Sequence, residues 1–278
     1  MSEPKDIYKF RMMSINSLSS ISSSKIWFSS KKNLNDPFEG YMNVVAPKNE
    51  GEKVAQYIDL GKSIVQKQSG LAPAQVERVI MERYLSSPVE FMDFVESSIS
   101  EHERSLIEYQ EKLGIFSTSS DIPGNLQTQV ANMLMWSHYG DEFKGFCIKY
   151  DHRKLYESLQ QLNSGVKFAW CKVNYIKTPH SVSFLDSLSD DTLDFLKSIQ
   201  YKHEQWGYEC EIRVVANETG LFSYSPEAIT GVYIGEKMPE EQKELLITVV
   251  SKTLPNCDIF SVSMAKNTTE YAIQINKI

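Results

Sequence analysis

Apolar and polar residues alternate with period two in some stretches of this chain and recur near period 3.6 in others, which separates its strands from its helices. Ile7-Tyr8-Lys9-Phe10-Arg11 reads as a first strand, with Lys9 and Arg11 on one face and Tyr8 and Phe10 on the other. Ile15, Leu18 and Ile21, three apart, predict a short helix, and residues 25–30 a second strand. Pro37 holds Asp36 in extended backbone and cannot donate to a ladder, so residues 33–40 are a loop. Residues 41–46 read as a third strand.

The pattern changes at Pro47. Residues 47–113 are charged, with Phe91, Phe94, Val95, Ile99, His102 and Leu106 close to a heptad rhythm, and Pro73 and Pro88 sit where new helices begin. This predicts an insertion of about three helices within one α+β domain spanning residues 1–278. Strand character returns at residues 114–118. An amphipathic helix is expected over 125–139, with Gly140 just past its end. Next come a strand over 145–150, a helix over 152–162 capped by Asp151, and strand character over 166–175. A helix is expected from Asp190 to about Glu204, then strands over 209–215 and 231–235, a helix over 239–250, and strands near 258–264 and 271–275. The elements interleave without a β-α-β rhythm, which favours a mixed, mainly antiparallel sheet over a doubly wound one.

The most heavily charged strand is the one at 209–215. Glu209, Glu211 and Arg213 alternate with Cys210, Ile212 and Val214, which places three charges on one face. A solvated sheet face with cross-strand ion pairs explains such a row, and so does a cleft. Two acids two positions apart share a local environment and shift each other's ionisation. Asn35, Asp36 and Glu39 surround Phe38 in the loop, groups that suit a ribose or a charged ligand and equally a self-bonded turn. His138 falls in the last turn of its helix beside Trp136 and Tyr139, where the helix C-terminus favours its protonated form.

Composition narrows the field. The 278 residues are 41% hydrophobic and 23% charged, ordinary globular values. A net charge of -7 argues against a broad basic surface for duplex nucleic acid. No apolar run is long enough for a membrane span, and the first eleven residues lack a secretory core, so a cytoplasmic protein is expected. The four cysteines form no C-x-x-C pair, no metal motif is present, and phosphate-cradling glycine loops are absent.

Leu34-Asn35-Asp36-Pro37-Phe38-Glu39, Met135-Trp136-Ser137-His138-Tyr139, Gly145-Phe146 and Tyr208-Glu209-x-Glu211-x-Arg213 occur in this order, and as a set they resemble the bacterial domain-of-unknown-function family 2971. The opening strand, short helix and strand ending Ser29-Ser30, together with the late Glu-x-Glu, are more distantly similar to ADP-ribosyltransferase-type domains. That second resemblance implies an ADP-ribosyltransferase-like sheet and NAD as substrate. It gives Glu211 the catalytic role at the ribose and Glu209 the acceptor side, with His138 a further candidate. Arg11 or Lys9 would anchor NAD and Ser29 would stand for the middle-strand serine. The residue types of Asn35, Asp36, Glu39, Trp136 and Tyr139, which have no counterpart in that pattern, make them candidates with Tyr8 for lining the nucleotide pocket. A protein or nucleic-acid acceptor, and a toxin or phage-defence role, belong to the same class. Two other readings stay open: a metal-dependent nucleic-acid-processing enzyme built on Asp36, Glu39, Glu209 and Glu211, and a non-enzymatic ligand sensor or adaptor.

Overall fold

The computed structural model describes residues 3–45, 47–121, 128–183, 199–266 and 269–278. The chain forms two compact units: one of residues 1–39, 112–177 and 202–278, the other of residues 40–111 and 178–201.

The first unit is built on an eight-stranded sheet. In chain order its strands are β1 (Asp6–Arg11), β4 (Gly114–Ser120), β5 (Phe146–Asp151), β6 (Phe168–Lys172), β10 (Glu211–Ala216), β12 (Ile229–Gly235), β13 (Asp258–Met264) and β14 (Ile273–Lys277). Across the sheet they run β14, β13, β12, β5, β1, β4, β10, β6. Every neighbour is antiparallel except β12 and β13. Those two are joined by α7 (Glu240–Thr253), the crossover that a parallel pair requires. The mixed, mainly antiparallel sheet expected from the sequence is therefore present.

Alternation along the strands sends side chains to two cores. Ile7, Ile148, Tyr150, Ile212 and Val214 face a core completed by Ile21 of α1 (Ile15–Ser22), Leu155 and Leu159 of α6 (His152–Leu162), and Leu246 and Val250 of α7. Tyr8, Phe10, Cys147 and Val262 face a smaller core with Val130, Met135, Trp136 and Phe143. Trp136 is fully buried there, stacked on Phe143 and edge-on to Phe10, with its indole N–H donating to Val130 O at 2.7 Å. The ring interactions and the satisfied N–H make it a structural anchor.

Four expectations need correction. The segment 125–139 is not one helix: residues 122–127 lie outside the described residues, Gln129–Ala131 is a 3-10 turn, and α5 (Met133–Tyr139) starts afresh. Asn132 breaks the run, because its extended backbone and its carboxamide, accepting from Leu134 N, begin a new helix. Of the helix expected over 190–204, residues 190–198 lie outside the described residues. Beyond them the chain forms β9 (Tyr201–His203), paired with β7 (Asn174–Ile176), and a 3-10 turn, Glu204–Glu209. The strands before residue 46 do not all join the main sheet. β2 (Lys25–Phe28) turns Ile26 and Phe28 into the larger core and pairs with β11 (Gly220–Ser223), while β3 (Met42–Val45) pairs in parallel with β8 (His180–Ser183). Finally, the charged row is not on a wet face: every residue of β10 is buried.

The second unit contains the helices expected between 47 and 113. They are α2 (Glu50–Ser69), α3 (Pro73–Ser86) and α4 (Pro88–Lys112), and the last two begin at their prolines. Asn49 caps α2 and Gly70 ends it in the left-handed conformation. Tyr57, Val76, Ile80, Phe91 and Val95 form its core. No helix of the described residues is long and apolar enough to cross a membrane.

The sheet opens at its middle. β1 pairs with β5 along all six residues but meets β4 only at Ile7↔Ser120 and Tyr8↔Ser119. Further along, Ser29 replaces β1 at the β4 edge, exchanging both backbone hydrogen bonds with Ile115 at 3.0 and 2.8 Å. Between these two contacts the edge of β4 is free of strand partners on that side, and the Lys9 ammonium donates to Ser117 O at 2.7 Å. A side-chain cation thus takes the place of a strand N–H.

The close approach of Gly235 to Phe143, where an added Cβ would lie 2.2 Å from the carbonyl oxygen, fixes how the 3-10 turn Asp141–Phe143 sits on the sheet. Gly235→Ala is expected to lower stability by about 3 kcal/mol. Gly51→Ala, at an exposed position in the first turn of α2 where an added Cβ meets only Asn49 Oδ1 at 3.4 Å, is expected to raise it by up to about 1 kcal/mol. Urea melts of both variants beside the parent chain check the contrast.

Candidate functional site

The site begins with a break in the backbone. Glu209 ends the 3-10 turn, Cys210 takes the left-handed conformation at φ 45°, and only at Glu211 does β10 start. A non-glycine residue at positive φ is held by its surroundings. Here Ser120 donates to Cys210 O from its N–H at 2.9 Å and its hydroxyl at 3.1 Å. Gln129 Nε2 donates to the carbonyls of Tyr208 and Glu209, Asn132 Nδ2 donates to Tyr208 O, and the Glu211 N–H donates to the Tyr175 hydroxyl. The expected period-two row therefore stops at Glu211, and Glu209 reaches the same place from outside the strand.

Arg213 is the hub. Its guanidinium has no exposed surface. It makes a bidentate pair with Glu39, Nη1 to Oε1 at 2.5 Å and Nη2 to Oε2 at 2.8 Å. Its Nε and Nη2 also hold the two oxygens of Glu211 at 2.9 and 3.1 Å. Asp36 supplies the turn that delivers Glu39: its carboxylate accepts from Phe38 N at 2.9 Å, and Asp36 O accepts from Glu39 N.

A second cation completes the arrangement. Lys202 Nζ, buried and lying over the Trp206 ring, donates to Glu209 Oε2 at 2.7 Å and to Glu211 Oε2 at 3.3 Å. Glu209 Oε1 accepts a hydrogen bond from the Tyr139 hydroxyl, whose oxygen accepts from Asn35 Nδ2 at 2.7 Å. One unbroken chain of polar contacts thus runs Asn35, Tyr139, Glu209, Lys202, Glu211, Arg213, Glu39. Burial pushes the Glu211 carboxyl up, but Arg213 and then Lys202 more than reverse this and hold it at about 2. Burial dominates at Glu209 and raises its carboxyl in spite of Lys202. Burial and then the bond to Glu209 raise the Tyr139 hydroxyl. Two neighbouring acids with ionisation pushed in opposite directions are what acid–base chemistry uses.

These groups line a cleft of about 400 Å³ in the opening between β1 and β4. Lys9 and Arg11 line it as well, together with Phe116, Trp27 and Ser29. Burial, and then the charge of Arg11, push the Lys9 amine down to about 8. Arg11 Nε is buried without a hydrogen-bond partner among the described residues. Four cations (Lys9, Arg11, Lys202 and Arg213) face three carboxylates (Glu39, Glu209 and Glu211) in this cleft, although the chain as a whole is acidic.

Of the residues singled out by sequence, Tyr8, Lys9, Arg11, Ser29, Asn35, Glu39, Tyr139, Glu209 and Glu211 line the cleft. Asp36, Trp136 and His138 do not. Asp36 builds a turn, Trp136 is core, and exposed His138 shares a 2.7 Å hydrogen bond between Nδ1 and the Tyr208 hydroxyl. The residue that sequence reasoning missed is Lys202. Its signal was stoichiometric: two acids beside a single arginine leave a buried charge unbalanced, and a second cation had to come from elsewhere. Asp36, Glu39, Glu209 and Glu211 do not converge as a set of metal donors, because Glu39 and Glu211 share Arg213 and Glu209 is bound to Lys202 and Tyr139.

Much of this constellation falls in one stretch of sequence. Residues 135–214 match the family described as "Protein of unknown function (DUF2971)". That stretch carries Tyr139, Lys202, Glu209, Glu211 and Arg213, while Asn35 and Glu39 precede it. Three of the four motifs that suggested this family in the sequence, all but Leu34–Glu39, fall within the matched stretch. No curated protein and no solved structure matches the chain.

Arg213→Met leaves Glu39 and Glu211 buried without their cation and is expected to cost about 3–5 kcal/mol in urea melts. Glu211 also sets the acid limb of stability. Its folded-state carboxyl lies below its unfolded value, so its contribution is complete above about pH 4.5 and is lost as pH falls toward 2. Acid titration of Glu211→Gln, monitored by circular dichroism, should show a shallower loss of stability over that window than the parent chain.

Proposed function

We propose that this protein is an NAD-consuming enzyme of ADP-ribosyltransferase-like type. It would cleave the bond between nicotinamide and the ribose and pass ADP-ribose to water or to a macromolecular acceptor. The observation that carries this reading is the cleft itself, which gathers a carboxylate held ionised, the cationic side chains of Lys9 and Arg11, and aromatic rings in one lining.

The chemistry needs little else. The glycosidic C–N bond breaks with its electron pair leaving on nicotinamide, and positive charge develops on the ribose. Glu211, fixed by Arg213 and Lys202, supplies a preorganised negative charge at that point. Water or an acceptor hydroxyl then forms the new bond at the same carbon and gives up its proton, which Glu209 would accept. Lys9 and Arg11 provide the positive side that a diphosphate requires, with Arg11 Nε still lacking a partner. Release of ADP-ribose or loss of cellular NAD would fit a toxin or a phage-defence effector.

NAD turnover by the purified protein, with and without candidate acceptors, is the direct test. Glu211→Gln is expected to lower the rate by about a hundredfold or more. It is also expected to lower the melting temperature, because Arg213 and Lys202 both lose a charged partner. Calorimetry is expected to detect NAD and not ATP–magnesium; the opposite preference would replace this reading with the sensor. NAD affinity should fall as pH rises through about 8, where Lys9 loses its charge, and Lys9→Arg should remove that dependence.

A further inference from the structure

Lys202 stands where the chain enters the sheet unit from residue 201, seven residues before Glu209 and nine before Glu211. We propose that Lys202 is a positioning residue: its ammonium, shared by Glu209 and Glu211, holds the two carboxylates together at the cleft and keeps Glu209 charged. The role given to the acids rests on the NAD reading above, but the effect of Lys202 on them does not.

Three observations support this. The first is geometric: the left-handed turn at Cys210 lifts Glu209 off the strand, so that both acids meet one ammonium instead of pointing along a common row. The second is division of labour. Glu211 has Arg213 on both of its oxygens and keeps a strong cationic partner without Lys202. Among the described residues, the Glu209 carboxylate has only the neutral Tyr139 hydroxyl besides Lys202. The third is confinement. Lys202 is 5% exposed and rests on the face of Trp206 at 4.7 Å, so the ammonium is held in place and not swept by solvent.

The charged and titratable groups around Glu209 are Lys202, Glu211, Tyr139, Tyr208, Tyr175 and Lys9, with Arg213 acting through Glu211. Burial and the charge of Glu211 both favour the protonated acid at Glu209, and Lys202 is the foremost influence against it. Removing the ammonium therefore leaves Glu209 protonated over a wider range of pH, and a protonated Glu209 cannot accept a proton.

The experiment is a carboxyl titration by carbon NMR on protein labelled at glutamate, with the Glu209 signal assigned from its absence in Glu209→Gln. Lys202→Met is expected to move the Glu209 midpoint up by about one pH unit or more. Lys202→Gln, which keeps a donor but no charge, covers a failure of the methionine variant to fold and should move it the same way. Lys202→Arg should leave the midpoint near that of the parent. An unmoved midpoint in the neutral variants, with melting temperature alone reduced, overturns the proposal. The acid limb of the NAD turnover profile, measured on the same proteins, should move with the midpoint. If the midpoint moves in a protein that consumes no NAD, Lys202 keeps its role and the NAD reading falls. If the native chain consumes NAD and the midpoint stays fixed, the NAD reading stands and Lys202 is only structural.

Discussion

A guanidinium without exposed surface, shared by carboxylates from two distant parts of the chain, is the interaction on which this molecule turns. Arg213 meets Glu211 two residues away on its own strand and Glu39 at a separation of 174 residues. A buried charge is costly alone, and each of these three would be expelled or neutralised without the others. The clamp therefore ties the Asn35–Glu39 turn to the centre of the sheet more firmly than packing at the half-exposed loop could. It also explains why both faces of β10 are closed to solvent while one face carries charge.

Around that clamp the backbone achieves what side chains alone could not. Side chains two apart on an ordinary strand lie side by side, where two carboxylates repel. The left-handed Cys210 removes Glu209 from the ladder, and both acids meet the single ammonium of Lys202. The conformation is maintained by donors from Ser120, Gln129 and Asn132, all of which are bound to the carbonyls that the break exposes. Like charges, a strained residue and a set of buried amides form one solution to one electrostatic problem.

Much of this was legible in the residues, and the parts that were not share a cause. Helices opening at Pro73 and Pro88, the cap at Asp151 and the alternation in β1 are local signals, and each appears where its local physics put it. Asn35, Glu39, Tyr139, Glu209 and Glu211 were found because polar clusters beside aromatic rings are unusual in apolar surroundings. Lys202 lies in the stretch read as the end of a helix over 190–204, and its importance comes only from where β9 places it. Asp36 and His138 carry the same residue chemistry as their neighbours but point into a turn and toward Tyr208 instead of the cleft. The burial of the charged row was invisible because a period of two states which residues share a face, and does not state what covers that face.

Ser29 displaces β1 from the far end of the β4 edge, so the cleft between them is cut through the sheet and is not a hollow laid on its surface. Its floor between residues 116 and 118 therefore includes main-chain groups as well as side chains. Main-chain donors and acceptors are the same for every amino acid, so a molecule read by them imposes no choice of residue at those positions. Recognition of that kind leaves a gap in the sequence record: the acids and cations of the walls are spelled out, while the floor between them can change its letters and keep its meaning.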